Sequence, residues 1–101
     1  SAQIRQRVVT ARAKQQERFS KYGFFCNGQM SHKHLKAFCP ITTEAQALLQ
    51  KVYTQLGLTA RSYDRLIRVG RTIADLAGED IITGQHLAEA IHFRNSAGNL
   101  Y

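Results

Sequence analysis

The sequence has no tryptophan, one proline, one methionine and two cysteines among its 101 residues. Two cysteines are too few for a disulfide scaffold, so we expect free thiols in a reducing compartment, the cytoplasm. No apolar run approaches the roughly 18 residues that a membrane-spanning helix needs. Hydrophobic residues nevertheless make up 44% of the chain, which is a globular composition, and the length predicts a single domain over residues 1–101.

Acidic residues are also scarce, with seven Asp and Glu against fourteen Lys and Arg. The imbalance lies in residues 1–39, where eight basic side chains accompany one acidic side chain, Glu17, for a net charge of +7. The basic residues of the first predicted helix are Arg5, Arg7, Arg12, Lys14 and Arg18. Such a segregated charge indicates contact with nucleic acid or with another acidic partner. A basic helix that is simply solvated is the alternative.

The alternation of polar and apolar residues that is typical of strands is missing, and the periodicity is helical throughout. We therefore predict an all-α fold, a small helical bundle of four main helices with a possible short one. The main helices are predicted over residues 3–20, 43–56, 60–77 and 84–94, and the short one over residues 31–38. Pro40 and the Thr42-Thr43 pair are the expected start signal of the second main helix, and Thr59 and Thr83 are the expected N-caps of the next two. Gly57 and Gly78 are expected to end two of the helices.

The helix predicted over residues 60–77 has two different faces. On a wheel of about 100° per residue, Arg65 and Arg68 lie within about 40° of Arg61. The opposite side collects the apolar and small residues Tyr63, Leu66, Ile67, Gly70, Ile73, Ala74 and Ala77. A guanidinium group is a charged fork of donors that suits phosphate or carboxylate, and ATP phosphate is one such partner. Arginines that sit in water or pair with Asp64 and Asp75 are the alternative.

The stretch from Leu58 to Leu76, LTARSYDRLIRVGRTIADL, resembles the C-terminal helical domain of the magnesium-chelatase-like AAA+ ATPases, the family that includes ComM and YifB. The resemblance covers nearly the whole chain, and the run RTIADL is its most specific part. Gly70 stands where the family is expected to have Ala. A glycine there costs roughly 1 kcal/mol of helix stability and predicts a close contact between helices. The other similar segments are Arg5-x-Arg7-Val8, Ala11-Arg12, Gln15, Arg18, Asn27, Met30, Leu35, Cys39, Glu89-Ala90-Ile91 and Phe93-Arg94.

The resemblance implies a C-terminal lid that follows a nucleotide-binding core and acts as the element called sensor 2. In related hexameric motors, an arginine near the start of the penultimate lid helix reaches the γ-phosphate, and Arg61 matches that position. Arg65 and Arg68 are secondary candidates, for the nucleotide or for acidic groups of the core. The resemblance further implies a ring motor that acts on DNA in competence or recombination. A stand-alone basic helical module that binds nucleic acid is the alternative function.

The chain has no Gly-x-x-x-x-Gly-Lys-Ser/Thr loop, the segment that cradles phosphates in such ATPases. ATP and Mg²⁺ are therefore expected as cofactors of the full-length protein and not of this fragment alone, which is not expected to be an enzyme by itself. The preceding AAA+ core and neighbouring ring subunits are the implied partners, with DNA as a further one and no membrane.

Two sulfurs and two imidazoles lie within fourteen residues, those of Cys26, His32, His34 and Cys39. Their spacing is poor for a zinc site, in which paired ligands are usually two to four residues apart and point the same way. We predict no metal site here and expect Cys39 to be a small buried apolar residue. His86 and His92 are predicted to lie on the surface of the last helix.

Overall fold

The computed structural model describes residues 2–20 and 27–98, with side chains described as far as Arg94. These residues form α1 (Ala2–Arg18), a 3-10 turn (Asn27–Gln29), α2 (His32–Phe38), α3 (Thr43–Leu56), α4 (Ala60–Leu76) and α5 (Gly84–Gly98). The described residues contain no strand, only an isolated parallel bridge between Ile41 and Ile82. The predicted all-α class is confirmed, including the short helix. None of the described helices combines enough length with enough apolar character to span a lipid bilayer.

α3 and α4 begin at the predicted signals, and Thr42 is the member of the Thr42-Thr43 pair that caps α3. The Thr42 hydroxyl accepts a hydrogen bond of 3.1 Å from the backbone N–H of Ala45, and the Thr59 hydroxyl accepts one of 3.1 Å from Ser62. Gly57 ends α3 with a φ of 60°, a left-handed conformation that glycine adopts without steric cost. Local sequence signals therefore fix where Arg61 lies, in the first turn of α4.

α5 departs from the prediction at both ends. His86 is buried, at 5% exposure, and the prediction that it lies on the surface is wrong. Its Nδ1 accepts a 3.0 Å hydrogen bond from the Thr83 N–H, while the His86 N–H donates to the Thr83 hydroxyl at 3.4 Å. The two residues form a reciprocal capping box, in which His86 takes the position, three residues after the cap, that is usually Glu. These contacts hold the imidazole ring in its buried position. α5 also continues to Gly98 instead of ending near Arg94; residues 95–98 contain no proline that would stop it.

α4 lies at the centre of the bundle and packs against α1, α2, α5 and the 3-10 turn. Leu66, Ile67, Gly70 and Ala74 are buried, as the wheel predicts. Ala77 is exposed, contrary to the prediction, because it lies in the turn after the helix has ended. The rest of the core comes from Phe19, Met30, Leu35, Cys39, Ala45, Leu49, Val52, Leu58, Ile82, Leu87 and Ala90.

Gly70 marks the closest approach of α4 to the segment that follows it. A Cβ placed on Gly70 would lie 3.0 Å from Leu87 Cδ2 and 3.4 Å from Ile82 Cγ2. Both of these side chains are fully buried and have little room to move. The close contact predicted from Gly70 is confirmed.

α1 is packed only in its second half. Ala11 and, directly after the helix, Phe19 are buried, at 3% and 2% exposure, whereas Ile4 is 62% exposed. Residues 2–10 are all exposed. The first turns of α1 therefore present their basic side chains to solvent while its end is held against α4.

Candidate functional site

The three arginines predicted as a functional row lie along one side of α4. Arg61 and Arg65 are exposed and Arg68 is half-buried. The Arg68 guanidinium donates a 3.3 Å hydrogen bond to the Met30 carbonyl. Within the described part of the chain, the guanidinium groups of Arg61 and Arg65 have neither a hydrogen bond nor an ion pair.

The two acidic residues that might have neutralised this row are paired elsewhere. Asp64 Oδ1 lies 2.9 Å from His32 Nδ1. Asp75 is bound by Arg18, whose Nη2 donates to Asp75 Oδ1 at 2.7 Å. Neither carboxylate therefore compensates the positive charge of Arg61 and Arg65.

The row forms one side of a groove between α4 and α5, with a volume of about 1130 Å³. We call this the arginine groove. α4 contributes Arg61, Arg65, Arg68, Val69, Thr72 and Ile73, and α5 contributes Gln85, Ala88, Glu89, His92 and Phe93, with Gly28 at one edge. The Phe93 ring is 59% exposed. The groove thus combines two unpaired guanidinium groups with apolar surface.

A buried polar cluster, which sequence reasoning missed, lies toward the other end of α4. Arg18 donates to both carboxylate oxygens of Asp75, at 2.7 and 3.0 Å, and to Asn27 Oδ1 at 2.8 Å. The Asn27 amide donates to Asp75 Oδ2 at 2.9 Å and to the Thr72 hydroxyl at 3.1 Å. The cluster joins α1, the 3-10 turn and α4.

The charge state of Asp75 follows from these contacts. Burial by itself raises the pKa of Asp75, but the hydrogen bonds from Arg18 and Asn27 and the charges of Arg18 and Arg71 outweigh it and hold the pKa below its usual value. Asp75 is therefore an ionised carboxylate inside the protein at neutral pH, and it requires its cationic partners.

Arg71 extends the cluster to the turn between α4 and α5. It is 1% exposed, and its Nε lies 3.2 Å from Asp75 Oδ1, an ion pair without hydrogen-bond geometry. Its two terminal nitrogens donate to the carbonyls of Asp80 at 2.6 Å and Glu79 at 2.7 Å. Burial lowers the pKa of Arg71, which the Asp75 carboxylate opposes. The two charged residues of the run RTIADL thus stabilise the fold from inside.

The basic residues of α1 divide into two groups. Arg5, Arg7 and Arg12 are exposed. Lys14 lies 3.4 Å from Asp80, and Arg18 is held on Asp75 inside the same chain, with its side chain only 15% exposed. An external acidic partner would therefore meet the first three arginines before Lys14 or Arg18.

The residues weighed as metal ligands have other neighbours. The His32 Nδ1 atom forms a hydrogen bond with the Asp64 carboxylate. His34 Nδ1 accepts a hydrogen bond of 3.2 Å from the Ser31 N–H. Cys39 is buried, which raises the pKa of its thiol to about 11 and keeps it protonated at neutral pH. Cys26 lies outside the described residues. Among those that are described, no group of three or more His, Cys, Asp or Glu side chains is placed to hold a metal ion.

Comparison with known proteins gives a consistent group of relatives. Residues 1–94 match the family described as magnesium chelatase, subunit ChlI C-terminal. The chain is 39% identical over 94 residues to YifB of Escherichia coli, covering 93% of this chain and 18% of that protein. It is also 39% identical over 94 residues to the competence protein ComM of Haemophilus influenzae, with 93% and 18% covered. The chain therefore spans about a fifth of the length of these relatives. No solved structure matches it.

Proposed function

This chain belongs to the magnesium chelatase, subunit ChlI C-terminal family, and we propose that it is the helical lid of a larger, cytoplasmic AAA+ ATPase, with Arg61 as the sensor of bound ATP. The observation that carries the proposal is the position of Arg61. Its side chain is exposed in the first turn of α4, and it has no partner within the described part of the chain.

The electrostatics of α4 favour an anionic ligand at Arg61. The N-terminal end of a helix carries a partial positive charge, to which the guanidinium adds a full one. Exposed like charges on the same helix face repel by some tenths of a kcal/mol per pair, and a bound phosphate relieves that repulsion. A donor fork held in place before the reaction stabilises phosphate charge as it develops. Arg65 is the next candidate for such a contact, while Arg68 is tethered to the Met30 carbonyl.

The side chains of this domain indicate which contacts to ATP and Mg²⁺ it makes and which the preceding core makes. The guanidinium groups of α4 suit phosphate oxygens, whereas the described residues offer no cluster of ligands for Mg²⁺. We therefore assign the phosphate-binding loop and Mg²⁺ to the preceding core, and the closing contact to Arg61. Neighbouring subunits of a ring complete the assembly in this proposal.

The proposal is tested with the full-length protein carrying Arg61→Ala. We expect ATP hydrolysis to fall at least about tenfold, a loss of about 1.4 kcal/mol of transition-state stabilisation. Arg61→Lys keeps the charge without the fork and should recover only part of the rate. Lys51→Ala removes one exposed positive charge from α3 and is the matched control. Wild-type rates in Arg61→Ala would exclude Arg61 as the sensor.

DNA binding through α1 is a second candidate function, favoured by the exposure of Arg5, Arg7 and Arg12 on turns that carry no acidic side chain before Glu17. Phosphate contacts release counterions, so affinity falls with salt, with a slope of about −0.9 per contact. We expect Arg5→Ala with Arg7→Ala to reduce that slope by about two, as measured by the anisotropy of a labelled duplex. A chain that does not bind duplex DNA at physiological salt contradicts this candidate.

A further inference from the structure

The turn between α4 and α5 projects an acidic and partly apolar segment. We call residues 79–81 the acidic knob. The side chain of Glu79 is 53% exposed, that of Asp80 is 94% exposed, and Ile81 is 49% exposed. Glu79 has Nε2 of the buried His86 at 3.6 Å. Asp80 has Lys14 at 3.4 Å, and a pair as exposed as this second one is worth little and exchanges readily.

The backbone of the acidic knob is held in one conformation. Arg71, itself buried, donates to the Glu79 and Asp80 carbonyls at 2.7 and 2.6 Å. The next residue, Ile82, is fixed on both sides, since its N–H donates to the Pro40 carbonyl at 2.9 Å and its carbonyl accepts from Thr42 at 3.0 Å. A segment ordered in advance loses little entropy when it binds.

The arginine groove has the complementary chemistry. Arg65 offers a guanidinium group with no partner in the described residues, and Arg68 uses one nitrogen for the Met30 carbonyl. The groove also has apolar surface, which is formed by Val69, Ile73 and the half-exposed ring of Phe93. Such a groove suits carboxylates beside an aliphatic side chain, which is the composition of the acidic knob.

We propose that the acidic knob of one copy of this chain docks into the arginine groove of a second copy. Asp80 and Glu79 meet Arg65 and Arg68, and Ile81 packs on Phe93. A knob cannot reach Arg65 of its own chain, because Arg65 lies about 17 Å from the end of α4 at Leu76, at 1.5 Å per residue. Glu89 also lines the groove, and because its negative charge repels any anion, the knob carboxylates must lie along the arginines of α4 and away from Glu89.

The contact is head-to-tail, since knob and groove are different surfaces and each copy carries both. Contacts of this type close into rings when the rotation between copies allows it, and otherwise form open chains. The inference does not rest on ATP sensing, because Arg61 is left free for phosphate and the association needs no nucleotide.

Two charge reversals test the two surfaces of the contact one at a time. Arg65→Glu disables the groove and Asp80→Arg disables the knob, both at exposed positions. Sedimentation velocity of the 101-residue chain without nucleotide, up to about 1 mM because small interfaces are weak, should show mass rising with concentration for the wild type. Each variant should lower the association constant at least about tenfold. An equal mixture of the two variants should recover association, because the intact knob of Arg65→Glu meets the intact groove of Asp80→Arg and the two reversed charges also attract each other.

Lys51→Glu, on α3 and outside the groove, makes the same charge change as Arg65→Glu and should associate nearly as the wild type does. Far-UV circular dichroism checks the helix content of every variant, and Phe93→Ala replaces Arg65→Glu as the groove variant if the reversal unfolds the chain. A wild type that stays monomeric throughout overturns the inference. So does a mixture that fails to recover association, or a loss in Lys51→Glu as large as that in Arg65→Glu.

Discussion

The guanidinium group of Arg18, at the end of α1, forms two parallel hydrogen bonds to the carboxylate of Asp75, near the end of α4, at 2.7 and 3.0 Å. The two residues are 57 positions apart in the sequence. The Asp75 side chain is fully buried, so this pair is surrounded by protein on the carboxylate side. Bidentate pairs of this kind are directional, and they fix how the two helices lie together.

Removing Arg18 should strongly destabilise the fold. Arg18→Ala leaves a buried carboxylate with Arg71 and Asn27 as its remaining partners, and breaking a buried pair in this way costs about 3 kcal/mol or more. The loss is measured as a lower midpoint of urea unfolding at unchanged slope. Arg12→Ala removes an exposed arginine from the same helix and should change stability by less than about 0.5 kcal/mol. Equal effects of the two substitutions would contradict the buried-pair account.

The same carboxylate should make stability depend on acid pH. The folded pKa of Asp75 lies below its usual value of 3.8, so its contribution is fully present above that value and is lost as the pH falls through the lower folded pKa. We expect the difference in unfolding free energy between the wild type and Asp75→Asn to be constant at neutral pH and to shrink below about pH 4. A difference that stays constant down to the folded pKa would show that Asp75 is not the group responsible.

Cys39 should produce a dependence of the opposite sign at alkaline pH. Burial raises its folded pKa from 9.0 to about 11, so the folded state favours the neutral thiol. The stabilisation is complete below pH 9.0 and is lost as the pH rises toward about 11. Comparing Cys39→Ala with the wild type by denaturant unfolding across this range isolates the effect, because Cys26 titrates in both proteins. A wild type that loses no stability relative to Cys39→Ala would count against a buried thiol.

Gly70 tests whether packing or helix propensity dominates within α4. Alanine gains roughly 1 kcal/mol of helix propensity, but its Cβ would lie 3.0 Å from Leu87 Cδ2, and overpacking costs about 1–3 kcal/mol. We expect Gly70→Ala to lower the free energy of unfolding by about 1 kcal/mol. In a Leu87→Ala background the closer contact is gone and only Ile82 Cγ2, at 3.4 Å, remains, so the same substitution should become stabilising. An unchanged sign in that background would refute the steric explanation.

Local features of the sequence were enough to predict most of the fold. Hydroxyl caps at Thr42 and Thr59 act within three residues, and the amphipathic face of α4 follows from helical period alone. The buried cluster was not predictable in this way, because Arg18 and Asp75 are brought together only by tertiary packing. The spacing of Arg71 and Asp75, at i and i+4, was the available local signal. The prediction for His86 is wrong because this histidine, three residues after Thr83, pairs with it as a cap.

The Arg18, Asp75 and Arg71 cluster also has a mechanical consequence for the opposite end of α4. Helical rise places Arg61 about 21 Å from Asp75, and the helix between them is stiffened by core packing on α5. Charged contacts fasten α1 to α4 and α4 to the turn that follows, so the cluster fixes the direction of α4 relative to both. Because a small change of direction at one end of a straight helix displaces its other end most, this cluster determines where Arg61 lies relative to α1.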